Sequence, residues 1–237
     1  MEILKLQSAP STQQVARELV LTGHTLPFAV LADTQSEGRG RLGRSWKSET
    51  GGLWLTIAAL VPSASAISPV ALVAASTVAQ IITTDTALNI GVKWPNDLLI
   101  GRRKVCGVLA ESLIQFNKTV VLLGVGLNVN NRVHGSDLTR ATSLCEELGH
   151  RLNLSLLAST LIEKIHQDIE LLATDGFESF LPWLRSHLVL AGEVITVEFN
   201  GERQTGRIVG LSDTGSLLLA GSDDTVSEVS AGTVESW

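Results

Sequence analysis

The sequence predicts an α+β core followed by a small all-β module. Three observations carry that reading. Strand-like apolar runs gather in the middle of the chain without a regular strand–helix alternation, which argues against a doubly wound parallel sheet. Long apolar helices flank them on both sides. From Gly192 onward, short β-rich runs lie between Gly and Asp turns, the pattern of a small barrel. Charge divides at nearly the same place. The chain has 18 Lys+Arg and 24 Asp+Glu, of which residues 186–237 hold 2 and 8. The net charge of −6 therefore belongs to the last module, and residues 1–185 balance.

Taken in order, Ser11 precedes Val15, Ala16, Leu19 and Val20 at helical spacing, with Ser11 placed as N-cap and Gly23 as the stop. Residues 28–32 read as a buried strand and residues 53–61 as another. Ser68-Pro69 opens an apolar helix to about Thr84, with Pro at the first helical position, where its missing N–H costs nothing. Strands are expected over 92–94, 98–100, 104–111 and 119–124, then helices over 142–148, 155–174 and 177–187. Residues 194–197, 206–209 and 216–219 supply the β module. The division is residues 1–187 and 188–237, joined near 186–191.

Composition excludes several classes. No apolar run approaches the roughly 18–20 residues that span a bilayer, and Met1-Glu2-Ile3-Leu4-Lys5 lacks the basic start and long apolar stretch of a secretory signal. Cys106 and Cys145 have neither metal-ligand spacing nor a disulfide framework, and the histidines show no partnered spacing. The expectation is a cytoplasmic, metal-poor protein. Segments 38–47 and 93–104 hold 8 of the 18 basic residues, so positive charge is local and not spread as a nucleic-acid face.

The first of these segments is Gly38-Arg39-Gly40-Arg41-Leu42-Gly43-Arg44-Ser45-Trp46. Its glycines permit tight backbone, its arginines carry planar forks suited to carboxylates and phosphates, and its tryptophan offers a surface on which a purine can stack. Gly38 and Gly43 have P-loop spacing, but Arg44 stands where the lysine belongs. The chain then turns back into a strand, where a P-loop needs a helix N-terminus. The second segment contains Lys93-Trp94-Pro95-Asn96-Asp97, in which Pro95 fixes φ and biases Trp94 toward extended backbone. Asn96 and Asp97 are then either a local turn or polar groups presented at a strand rim. Lys104 is either an edge-strand guard or a buried cation for an anionic substrate. Gly124-Val125-Gly126 alone is a weak nucleotide signal.

Four words in this order, GRGRLGRSW, KWPND, KVCGVLAE and GVGLNVN, resemble the biotin protein ligases. Ser11-Thr12-Gln13 resembles the Ser-Thr-Asn element of that family, and Gln35 falls at a biotin-contacting place. The likeness covers the whole chain. It implies a catalytic domain of the biotin/lipoate ligase type, akin to class II aminoacyl-tRNA synthetases, with a mixed sheet flanked by helices and an SH3-like barrel behind it. It also implies ATP-dependent conversion of biotin to biotinyl-5′-AMP and transfer to a lysine of a biotin carboxyl carrier protein, with Mg2+ accompanying the nucleotide and no metal ligands assigned.

By that resemblance Ser11, Thr12, Gln13, Gln35, Arg39, Gly40, Arg41, Lys104 and Gly107 bind biotin. Arg39, Arg41, Arg44, Trp46, Asn96, Lys104 and Asn128 bind ATP. Arg41 and Lys104 act at the reacting centre, with Asp97 orienting the acceptor lysine or relaying its proton. Cations placed between biotin's carboxylate and the α-phosphate offset their repulsion.

Three departures stand out. Leu42 occupies a place often basic in the family. Ser236-Trp237 falls where some relatives carry a nucleotide-reaching arginine, and only about ten residues precede Ser11, too few for a helix-turn-helix repressor domain. DNA and membrane are therefore not expected partners, and a monomer and a homodimer both stay open. Lipoate or octanoate transfer on the same fold is the alternative. An RNA-binding reading of the Gly-Arg loop conflicts with the balanced charge of residues 1–185.

Overall fold

The computed structural model describes residues 1–61, 67–133 and 140–236. Seven strands form one mixed sheet: β1 (Glu2–Ala9), β2 (Phe28–Gln35), β3 (Leu53–Val61), β4 (Ile90–Lys93), β5 (Asp97–Ile100), β6 (Arg103–Gln115) and β7 (Lys118–Leu127). Their spatial order is β1-β2-β3-β7-β6-β5-β4. Only β1 and β2 run parallel, and the other pairs are antiparallel.

Both faces of this sheet are covered, which is why β3 and β7 read as continuous apolar runs. On one face Leu53, Leu55, Ile57, Leu123 and Val125 pack with α2 (Ile67–Thr86) and α4 (Leu154–Asp175). Helix α2 is buried nearly all round through Val70, Leu72, Val73, Ala74, Ala75, Val78 and Ala79, the mark of a helix sandwiched between layers. On the other face α1 (Thr12–Leu21) lays Ala16 and Val20 on Phe28, Val30, Ala58, Val120 and Leu122. Each fully buried leucine contributes about 1.5–3 kcal/mol.

Helix α1 covers only part of its face. Beyond Val120 and Leu122 the inward positions of β7 become Gly124 and Gly126, and Gly126 lies opposite Gly107 of β6. Apolar side chains hold the helix down over half of the sheet, and glycines leave the other half bare.

The last five strands, β8 (Val194–Phe199), β9 (Glu202–Leu211), β10 (Leu217–Ala220), β11 (Val226–Val229) and β12 (Thr233–Ser236), form an antiparallel sheet of order β11-β10-β9-β8-β12. Its buried Ile195, Val197, Ile208, Leu217 and Leu219 join the core of the larger sheet without a break. The expected joint near 186–191 is hydrogen-bonded to β4: Val92 N–H donates to His187 O at 2.8 Å and Val189 N–H to Val92 O at 3.0 Å. Trp94 Nε1 donates to Gly215 O at 3.0 Å, and Arg185 donates to Leu211 O at 2.9 Å.

Several local expectations change. β1 was not foreseen, because it is an edge strand with one wet face and only weak alternation. The helix expected from Thr142 begins at Leu144 (α3, Leu144–Leu148); Ser143 precedes it, its N–H bonded to the Glu146 carboxylate at 3.3 Å. The helix expected over 177–187 is a 3-10 turn at Glu178–Phe180 followed by α5 (Leu181–Ser186). Ser11 is the N-cap residue of α1, yet its side chain makes no capping hydrogen bond. Trp237 lies outside the described residues.

Candidate active site

The bare half of the sheet is the floor of a cavity of about 280 Å³. The start of α1 closes one end, the rim of β4 and β5 closes the other, and the Gly38–Trp46 segment arches above. That segment is a small hairpin. Trp46 N–H donates to Gly38 O at 2.8 Å and Gly40 N–H to Arg44 O at 2.7 Å. Its tip is a 3-10 turn over Arg41–Gly43. Leu42 sits in that tip at φ 55 and is 71% exposed, so it points away from the cavity.

Trp46 returns from the hairpin onto the glycine floor. A Cβ at Gly126 would lie 2.7 Å from the Trp46 ring, and one at Gly107 would lie 3.1 Å from it. Both positions are glycine because the ring occupies that space. Lys104 Nζ stands 4.9 Å from the ring centroid, a cation–π distance. Trp46 Nε1 is buried with no hydrogen-bond partner among the described residues, a cost of about 1–3 kcal/mol.

Charge gathers at the rim end. Arg39, Arg41, Arg44, Lys93 and Lys104 line the cavity, against one carboxylate among the described residues, Asp97. Lys104 is on β6, an interior strand, so the edge-guard reading falls away. Its Nζ is 2.7 Å from Asp97 Oδ1, in ionic contact but not along a hydrogen-bond direction. The Lys104 backbone is fixed on both sides, N–H to Arg140 O at 2.8 Å and C=O from Thr142 N–H at 2.9 Å. Arg41 donates to Asn96 Oδ1 at 3.2 Å, and Asn96 Nδ2 donates to Val108 O at 2.6 Å.

Burial lowers the Arg41 pKa from its ordinary value; Asp97 opposes that shift and Arg44 adds to it. Lys93 is also lowered, by burial first, with Asp97 raising it and Lys104 and Arg44 lowering it further. Cys106, beneath this cluster, has its thiol pushed strongly up by burial, which keeps it neutral and unreactive.

The opposite end is polar but uncharged. Thr12 N–H donates to Gln35 Oε1 at 2.7 Å, Gln35 Nε2 to Ser48 Oγ at 2.7 Å, and Thr56 Oγ1 to Thr12 Oγ1 at 2.9 Å. Gln13 packs over Gly124, where a Cβ would lie 2.8 Å from its Oε1. The cavity thus has a neutral hydrogen-bonding end, a glycine floor carrying an indole, and a cationic rim.

Every site residue expected from sequence lines this cavity except Asn128. Asn128 donates through Nδ2 to Thr142 O at 3.0 Å and accepts at Oδ1 from Asn131 Nδ2 at 3.0 Å. Its side chain is engaged in the turn after β7 and does not reach the cavity. Arg39 reaches the cavity mouth but is mostly exposed, 4.0 Å from Glu37. Sequence reasoning passed over Lys93, Thr56 and Gly124 as site residues, together with Thr233 and Val234 of the last strand. Lys93 was legible inside KWPND; Thr56 becomes significant only once β3 is known to face α1.

The chain is similar to known proteins over both of its sheets. The Biotin/lipoate A/B protein ligase family matches residues 5–128, just over half of the chain, and the Biotin protein ligase C terminal domain matches residues 191–237. The Bifunctional ligase/repressor BirA of Bacillus subtilis is 31% identical over 221 residues, and the chain spans 66% of its length. The Biotin--[acetyl-CoA-carboxylase] ligase of Paracoccus denitrificans is 30% identical over 208 residues, covering 81% of this chain and 83% of that protein. Among solved structures, the biotin protein ligase from Aquifex aeolicus in complex with biotin and ATP superposes with a TM-score of 0.86 at 28% identity, covering 99% of this chain and 97% of that one. The chain belongs to the biotin/lipoate A/B protein ligase family.

Proposed function

We propose that this chain activates biotin with ATP to biotinyl-5′-AMP and passes the biotinyl group to a lysine of a biotin carboxyl carrier protein. One observation carries the proposal: four cations, Arg41, Arg44, Lys93 and Lys104, gather around Asp97, the one carboxylate among the described lining residues, at one end of a cavity whose other end is neutral and hydrogen-bonding. That is a site for a ligand with an uncharged polar head and an anionic tail, placed against a second anion.

Two unit anions brought to about 4 Å repel by about 4 kcal/mol at an effective dielectric near 20. Lys104 and Arg41 stand where they offset this repulsion. A biotin carboxylate oxygen attacks the α-phosphorus, the bond to the bridging oxygen breaks, and pyrophosphate leaves toward Arg44 and Arg39. Trp46 is the surface for adenine, and Lys93 adds a further cation at the rim. The Gly38–Trp46 hairpin covers the mixed anhydride against water. A neutral acceptor amine then attacks the acyl carbon and AMP departs. Asp97 is the carboxylate that can orient this amine and accept its proton.

Because Asp97 is the cavity's one carboxylate among the described residues, the donor set does not fit a protein-held metal. Magnesium enters as part of the MgATP substrate, carried on phosphates. The reading includes the cytoplasm as the place of action, no DNA partner, and either a monomer or a homodimer.

Support against lipoate comes from the neutral end, where threonine hydroxyls and two carboxamides suit a ureido ring better than an apolar dithiolane. The test is transfer. Purified protein, MgATP and a biotin carboxyl carrier domain should give a biotinylated lysine, with excess lipoate competing poorly. Lipoylation under the same conditions with no biotinylation would reverse the assignment.

A further inference from the structure

Gln13 is held in one orientation by groups outside the cavity. Its Nε2 donates to Leu122 O at 3.0 Å and to Glu111 Oε2 at 3.1 Å. Both partners only accept, so a flipped amide would set oxygen against two acceptors, and both amide hydrogens are used. Gln13 Oε1 therefore faces the cavity, over Gly124. Thr56 Oγ1 lies within reach of both Thr12 Oγ1 at 2.9 Å and Gln13 Oε1 at 3.1 Å, but it has one hydrogen. When that hydrogen goes to Thr12, Gln13 Oε1 is left as an open acceptor. Glu111 is itself held by Arg17, whose Nη2 is 2.9 Å from Oε2, and neither Arg17 nor Glu111 lines the cavity.

We propose that Glu111 is a positioning residue for substrate specificity. Together with Leu122 O it fixes the Gln13 amide, presents a carbonyl oxygen to the neutral end of the cavity, and so selects a ligand head that donates an N–H. This deepens the biotin reading and rests on it, since a ureido ring has two such donors and a dithiolane has none. Glu111 acts through Gln13 and touches no reacting atom. The Arg17 pair fixes the carboxylate without setting the amide's direction.

The test compares Glu111→Ala, Glu111→Gln and Arg17→Ala in the full chain, reading steady-state KM for biotin and for ATP, kcat, and relative kcat/KM for biotin and lipoate. Glu111→Ala should raise the biotin KM by about 3- to 10-fold, the value of one hydrogen bond. The ATP KM and kcat should hold, and preference for biotin over lipoate should fall by the same factor. Glu111→Gln keeps an acceptor for Gln13 Nε2 but loses the ion pair, and should restore the biotin KM to within about twofold. A purely structural ion pair predicts that Glu111→Gln and Arg17→Ala behave like Glu111→Ala. That pattern, or an unchanged biotin KM in Glu111→Ala, overturns the inference. Absence of biotin binding by the unaltered protein would instead remove the proposed function.

Discussion

Replacing Lys104 by alanine separates chemistry from folding. The side chain sits between Asp97 and the indole, with Asp97 Oδ1 at 2.7 Å and the Trp46 centroid at 4.9 Å. The pair is partly open to water, with side-chain exposures of 31% and 21%. Asp97 Oδ1 is itself buried, but Asp97 keeps the influence of Arg41 and Lys93, so removing Lys104 leaves its charge partly compensated. The stability loss should therefore lie near the surface-pair value of about 1 kcal/mol and well below the roughly 3–5 kcal/mol of a broken buried pair. For a chain of this size that is about 2–4 °C in Tm. The rate effect should be much larger. Loss of one group that stabilises developing charge lowers kcat by about 10²–10³-fold, or about 3–4 kcal/mol. The assay pairs single-turnover adenylate formation with a thermal melt of the same preparation. Adenylation within about tenfold of the unaltered protein would refute the assignment of Lys104 to the reacting centre. A fall in Tm beyond about 10 °C would refute the energetic argument.

Other outcomes follow from the same geometry. Trp46→Ala should raise the ATP KM by about tenfold, the scale of one base-stacking surface, and Gly126→Ala should do the same by lifting the ring from the floor; steady-state kinetics at saturating biotin reads both. Burial holds the Lys93 ammonium below its ordinary 10.5, so its charge is lost at lower pH than that of a free lysine. The ATP KM should climb as pH approaches 10.5, and Lys93→Arg should move that rise upward. The unfolded chain holds this proton more tightly, so the penalty to the fold is full below the folded pKa and is relieved as pH rises toward 10.5; a denaturation series across that range should show Lys93→Met flattening the increase. Asn128→Ala should cost about 1–3 kcal/mol in chemical denaturation through its lost partners Thr142 and Asn131, with the ATP KM moved less than in Trp46→Ala.

The sequence was most legible where chemistry is local. The Gly-Arg hairpin and the KWPND rim stood out by residue type and spacing, whereas Lys104 and the Ser11–Gln13 start of α1 gained their site meaning only from the family resemblance; all of them line one cavity. Legibility ended where meaning depends on which face of the sheet a residue occupies. Thr56 reads as one more residue in an apolar strand until β3 is placed under α1. Gly124 and Gly126 look like a weak nucleotide motif until Gly107 is found opposite and the Trp46 ring is seen resting there. Asn128 sits two residues from Gly126 in sequence, yet the chain leaves β7 just before it and turns its amide toward Thr142. β1 and β11 were hidden for a simpler reason: mostly exposed strands carry too few apolar residues to show a period.

In the proposed function the cationic rim and the neutral end together join biotin to a nucleotide. Biotin-dependent exchange of labelled pyrophosphate into ATP by the purified protein tests it most directly. Exchange should require biotin, gain no support from lipoate, and fall by about 10²–10³-fold in Lys104→Ala. No exchange with biotin, or equal exchange with lipoate, would contradict it.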